Sequence, residues 1–273
     1  MRRIADNIWI ASAVVIVAIA VVYLVLPIVM AILMSFDARD FLGPFPPTRF
    51  SLHWYQKLFG EPRYLVGVKV SLIVSTTAAA VSTVVGVMAA VALDRYSFSG
   101  KDLVALFFLS PLVVPGVVIG FALLLFLAMA GVFDGLTRLL LGHIIITVPY
   151  TVRTTLAGLV GIKRSLTEAA LTLGANERQA FWDITFPLAK TGIVAGMIFA
   201  FVFSIDDVSM SMFLTDARAY TLSIALLGNM QAEFDLSIAA AAVLLVGFTT
   251  LVVFLLDAVV GIDRAFGVGM YRA

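Results

Sequence analysis

Cysteine is absent from the chain, which excludes a disulfide framework, a thiolate zinc site and a cysteine nucleophile. Histidine occurs only at His53 and His143, far apart in sequence, and no metal site is expected. Charge is also scarce. Asp, Glu, Lys and Arg make up 13% of the 273 residues, where a soluble domain carries about 25%. The net charge of +1 gives no reason to expect nucleic acid as a partner. Phosphate-binding and hydrolytic signatures are missing too. A P-loop needs GxxxxGK[ST], but Gly100-Lys101 is followed by Asp102, and Arg95 stands where the first glycine should be. HExxH and GxSxG do not occur. The chain is therefore not expected to be an enzyme or to hold a cofactor. No internal repeat, low-complexity tract or soluble domain interrupts it, so a single membrane domain over 1–273 is expected.

What the chain has instead is apolar length. Apolar residues reach 62%, and the mean hydropathy is +1.09. A helix needs about 20 apolar residues to cross the hydrocarbon core. Six segments qualify: Ile8–Met34, Tyr64–Leu93, Leu103–Ala130, Leu139–Leu159, Leu188–Leu214 and Leu236–Ile262. The first is too long for a signal peptide, and no small-residue cleavage site follows it. Pro149 is expected to kink the fourth by removing a backbone donor. The expected fold is thus an all-α membrane protein with six transmembrane helices.

Lys and Arg placement orients it. With the N-terminus inside, the inner segments carry Arg2, Arg3, Arg95, Lys101, Lys163, Arg164, Arg178, Arg264 and Arg272. The outer segments carry Arg39, Arg49, Lys57, Arg63 and Arg218. Nine against five predicts an N-in, C-in protein. In the first outer loop, Pro44, Pro46 and Pro47 disfavour a helix, whereas Ser51–Phe59 suits a short surface helix with Trp54 and Tyr55 at headgroup level.

Between the fourth and fifth spans lies a polar, helix-forming insert, about 163–187. Ser165-Leu-Thr-Glu168 fits a capping box. Leu166, Ala169, Ala170 and Leu173 then share one helix face. Gly174 suits a left-handed C-cap. Asn176 can cap a second short helix, Glu177–Asp183, and Pro187 fits the first turn of the next long helix. Helix, glycine bend, helix is a shape that can meet a partner and pass a push into the following span. Read from chemistry alone, an ordinary helical hairpin between spans is the favoured reading.

Glu168-Ala169-Ala170, Gly174 and the Ile184-x-x-Pro187 ending resemble the cytoplasmic EAA loop of ABC-importer permeases, with Leu173 in the same segment. One departure is Phe186, where a Leu before the proline is usual. DRYSFSGK after the second span, FLSPLVVPGVVIG in the third and FSIDDVSMSMFLT late in the fifth resemble the spermidine/putrescine-type permeases. The resemblance spans about residues 60–230. It implies a multi-pass subunit of the bacterial inner membrane, embedded in the lipid bilayer, whose insert is a cytoplasmic coupling helix. It also implies a homologous second permease subunit, a dimer of cytosolic ATPases that holds the ATP and Mg, and a periplasmic or extracellular substrate-binding protein. The cargo implied is a small organic cation such as a polyamine, moved by alternating access. The same architecture also suits an amino-acid-like compound, an aminophosphonate, an opine or a ferric complex. An ion-coupled secondary transporter would need related halves and a broken, charged midplane site, and neither is visible.

Asp206 and Asp207 are the only adjacent acidic pair within an expected span. An intramembrane carboxylate is costly and usually faces a cavity or a partner. Roughly 28 Å of helix separates Asp206 from Pro187, which puts the pair in the outer half. On one helix the two side chains would point about 100° apart, so one is expected to line the substrate pathway while the other pairs with a neighbouring span. Gly116-x-x-x-Gly120 and Gly192-x-x-x-Gly196 permit close helix packing.

Overall fold

A computed structural model describes residues 2–41, 43–232 and 235–260, with side chains described over 9–41, 43–232 and 235–255. The regular elements among those residues are helices, apart from a two-residue antiparallel bridge between Asp37 and Phe50. Among the described residues five helices are long and apolar enough to cross a membrane, and a bent helix pair raises the number to six if it counts as one span. Arg2, Arg3, Arg264 and Arg272, which enter the charge argument, lie outside the described side chains. The chain divides into two compact units, residues 1–62 with 226–248 and residues 63–225 with 249–273.

In the smaller unit, α1 (Arg2–Ser35) is a long apolar rod, and from Trp9 onward most of its side chains are exposed, as suits a lipid-facing span. The connection after it contains no helix through the proline cluster and then forms α2 (His53–Gly60). Trp54 of α2, expected at headgroup level, is packed inside the protein. It is 2% exposed, packs with Leu236 and Ala240, and donates its indole N–H to the Asp37 carbonyl at 2.8 Å. The Trp ring has an apolar body and one donor, and this pocket satisfies both. Asp37 is fully buried and is held by the Arg39 guanidinium at 2.9 Å, which keeps its carboxyl below the usual carboxylate range. Lys57 and Asp235 pair at 2.7 Å.

In the larger unit, α3 (Pro62–Arg95) presents a stripe of small residues at helical spacing: Ser71, Ser75, Ala78, Ser82, Gly86 and Ala90, all buried. Small side chains let helix backbones approach where lipid supplies no hydrophobic drive. The third expected span, Leu103–Ala130, is not one helix. It is α4 (Lys101–Leu109) with a 3-10 turn to Leu112, then α5 (Gly116–Met129), bent by 104°. Pro111 and Pro115 explain the break, because each removes a donor and clashes with the helical position before it. Hydropathy sees only that these residues are apolar, not that the backbone turns.

The fourth expected span is α6 (Gly135–Leu159), which runs through Pro149 without losing its helical assignment. Asp134 caps its start, accepting from the Thr137 amide at 2.8 Å. It is followed by α7 (Arg164–Thr172), α8 (Glu177–Ala180) and α9 (Phe186–Asp206). The glycine pattern on α9 matters: a Cβ at Gly192 would meet the Thr154 carbonyl at 2.5 Å and the Gly158 Cα at 2.8 Å, so α6 and α9 touch backbone to backbone. A Cβ at Gly120 would likewise lie 2.9 Å from the Met210 carbonyl. Past α9 come α10 (Ser211–Leu214), α11 (Leu222–Ala232) and α12 (Ser237–Val260). The main apolar cluster of this unit joins Val70, Val74, Leu139, Ile146, Met210 and Leu214.

Candidate functional site

The insert folds as a bent pair whose bend is well defined. α7 ends in a Schellman arrangement: the Gly174 amide donates to the Leu171 carbonyl and the Ala175 amide to the Ala170 carbonyl, each at 3.0 Å. Gly174 has φ +96°, the left-handed conformation its sequence position suggests. The expected capping box at Ser165 does not form. α7 begins two residues earlier, with Lys163 in place of Ser165 at the cap position, and no side chain caps it. A capping box does form at the second helix, between Asn176 and Gln179, with both bonds at 2.9 Å.

That second helix is not separate, as the reading of Glu177–Asp183 supposed. Residues 181–185 form a π turn, and the helix runs on from Glu177 to Asp206. Pro187 supplies the reason. Its ring excludes the Asp183 carbonyl from a normal bond, and the wider turn just before it accommodates the loss. Phe181, Trp182 and Phe186 cluster around this turn, with ring centroids 5.0–6.3 Å apart.

The residues expected to meet a partner are presented outward. Nothing in α7 is buried; Leu173 is 89% exposed at the bend, and Glu168, Ala169, Gly174 and Pro187 are exposed. Ala170 and Ile184 are half-buried. Two arginines brace the insert against α3: Arg95 donates to the Thr185 hydroxyl, and Arg164 to the Asp94 carbonyl. The sequence named both arginines only as orientation signals.

At the far end of α9 the acidic pair separates. Asp206 is the last helical residue, whereas Asp207 is extended at φ −63°, ψ 127°. The expected span to Leu214 therefore stops short, and the pair does not share one helix. Asp207 turns back as a cap: its Oδ2 accepts from the Ser211 amide and hydroxyl, both at 2.9 Å, and from the Met210 amide at 3.3 Å. The same Ser211 hydroxyl lies 3.0 Å from Nε2 of the fully buried His143, whose Nδ1 meets the Ser204 hydroxyl at 2.7 Å. Asp207, Ser211, His143 and Ser204 thus form one chain of polar contacts across α6, α9 and α10. Below it, Ser82 and Thr147 hydroxyls meet at 2.6 Å, and Thr151 donates to the Ser82 carbonyl.

Asp206 remains exposed, and among the described residues no group donates to its carboxylate. It faces a concavity of about 490 Å³ lined by Tyr150, Phe199, Phe203, Asp206, Asp207 and Ser209. In the loop beyond, Asp216 accepts from the amides of Ala219, Arg218 and Gly135 at 2.7–2.8 Å, which hold its carboxyl below the usual range.

A multi-span helical subunit with a broken third span, an exposed bent insert and a free carboxylate in a membrane concavity is built as a solute permease. The chain matches the family of binding-protein-dependent transport system inner membrane components over residues 82–261, and it belongs to that family. It is 33% identical over 193 residues to the spermidine/putrescine transport system permease of Haemophilus influenzae, covering 71% of this chain and 74% of that one. It is 29% identical to the putrescine transport system permease of Escherichia coli K12, covering 89% and 88%. Among solved structures, a bacterial ABC transporter for import of the acidic polysaccharide alginate superposes with a TM-score of 0.74 at 16% identity, covering 93% and 96% of the two chains. The protein is accordingly a multi-pass inner-membrane permease subunit of an ABC importer, and ATP hydrolysis belongs to a separate subunit.

Proposed function

We propose that this chain forms one half of an alternating-access pathway for a small organic cation, with a polyamine as the favoured cargo. The free carboxylate of Asp206 in the α6–α9 concavity carries this reading. An anion entering there would meet a negative charge, while an ammonium group would regain some of the solvation it leaves behind. The polyamine systems of the two relatives support the same choice. The alginate neighbour is alike in fold only and imports an acidic polymer, so the fold by itself does not choose the cargo.

The remaining parts of the proposal follow the family pattern. The termini lie in the cytoplasm. Residues 163–187 are the coupling element, seated through Glu168, Ala169, Ala170, Leu173 and Gly174 on one protomer of a cytosolic ATPase dimer that holds ATP and Mg, with Ile184 and Pro187 leading the motion into α9. A homologous second permease subunit completes the pathway, and a periplasmic or extracellular binding protein delivers the solute.

The test is uptake into proteoliposomes carrying the full complex, with complex yield measured alongside. Asp206→Asn is expected to cut uptake of 1,4-diaminobutane without changing yield. Asp207→Ala is expected to lower yield, because removing a capping side chain costs about 0.5–2 kcal/mol. Wild-type uptake by Asp206→Asn would remove the residue on which the cationic reading stands.

A further inference from the structure

Tyr150 and Phe203 face one another across α6 and α9 with ring centroids 4.8 Å apart and planes tilted by 39°. Both border the concavity that Asp206 faces. Phe203 lies three residues before Asp206 and Phe199 four residues before Phe203, so the three side chains follow one face of α9. Phe199 and Phe203 are 45% and 41% exposed. From Phe199 to Asp206 the helix rises roughly 10 Å.

We infer that Tyr150, Phe203 and Asp206 form an alkylammonium station, with Phe199 as the floor for the methylene chain behind the charge. The inference rests on the cationic-cargo reading and adds to it the groups that choose among cations. The carboxylate supplies charge without shape. The ring faces carry a negative quadrupole that attracts an ammonium held over them, and their width suits methylenes. A strongly hydrated metal ion gains little from such faces, whereas a primary ammonium on an aliphatic chain gains from both parts. The station therefore favours a linear aliphatic amine over an inorganic cation of equal charge. Asp207 is not part of it, because its carboxylate is committed to Ser211 and Met210.

The deciding experiment uses the full complex in proteoliposomes, with initial uptake of radiolabelled 1,4-diaminobutane measured at saturating loaded binding protein. Phe203 is replaced by mono-, di- and trifluorophenylalanine, which drain the ring face stepwise at nearly constant volume. Uptake is expected to fall stepwise, reaching roughly three- to thirty-fold at the last member, the range for a cation–π contact between exposed and desolvated settings. ATPase stimulation by the loaded binding protein should stay unchanged. Tyr150→Phe should keep the wild-type rate, and Tyr150→Leu should lose it to a similar degree. A flat response across the fluorinated series together with wild-type uptake by Tyr150→Leu overturns the station; if Asp206→Asn is impaired in the same preparation, the cationic reading survives without it. Absence of 1,4-diaminobutane uptake by the unmodified complex defeats the cargo reading, and the station with it.

Discussion

Gly174 ends α7 with a left-handed backbone and open space around it: a Cβ there would meet nothing within 4 Å. The cost of a side chain at this position is therefore conformational and not steric crowding. A β-branched residue in that region costs about 1–3 kcal/mol, and relief comes by opening the bend. Gly174→Val is expected to leave chain yield unchanged while ATPase co-purification and transport fall together. Co-purification at the wild-type level would show that the bend is not what the motor grips. Asp206 and Asp207 give a second case at this scale. As a sequence pair they look interchangeable, and the difference comes from two residues that follow. Met210 and Ser211 offer amides and a hydroxyl that only Asp207 can reach, which leaves Asp206 as the free charge.

At the scale of elements, the α6–α9 contact depends on Gly158 and Gly192 meeting without side chains. Gly192→Leu would push into backbone at Thr154 and Gly158, which cannot rotate away as a side chain does. We expect destabilisation of at least roughly 1–3 kcal/mol, the usual overpacking cost, seen as a lower melting midpoint in detergent and reduced complex yield. An unchanged midpoint would mean that the helices separate freely. The Gly-x-x-x-Gly spacing marked α9 as a helix able to pack closely without naming Gly158 as its partner, whereas the helical class, the Gly174 bend and the Asn176 cap were readable. Three features were not readable, each for its own reason. The 104° break hid inside an unbroken apolar run, although Pro111 and Pro115 marked it. The π turn is a response to Pro187 that α-helical spacing does not represent. The His143 chain joins residues 61 and 68 positions apart, so no local pattern announces it.

At the scale of the whole molecule, the cysteine-free sequence allows single engineered cysteines to report on sidedness without background. Cysteines at Ser165 and Gln179, both exposed, should react with an impermeant reagent only after cells are opened, while one at exposed Ala217 should react in intact cells. Labelling of Gln179→Cys in intact cells would reverse the orientation. The continuity of the helix from Glu177 to Asp206 has a consequence at this scale. The exposed insert and the free carboxylate occupy opposite ends of one thirty-residue rod, and the π turn at 181–185 is its only departure from α geometry. Each α-helical residue advances the azimuth by about 100°, so the extra residue held in that turn sets the angular phase between the two ends. A change that returned the turn to regular α geometry would turn the insert about the axis, because the backbone contact of Gly192 with Gly158 and Thr154 holds the rest of α9 against α6. The π turn thus fixes the angle at which the insert is presented, and Pro187 holds that turn in place.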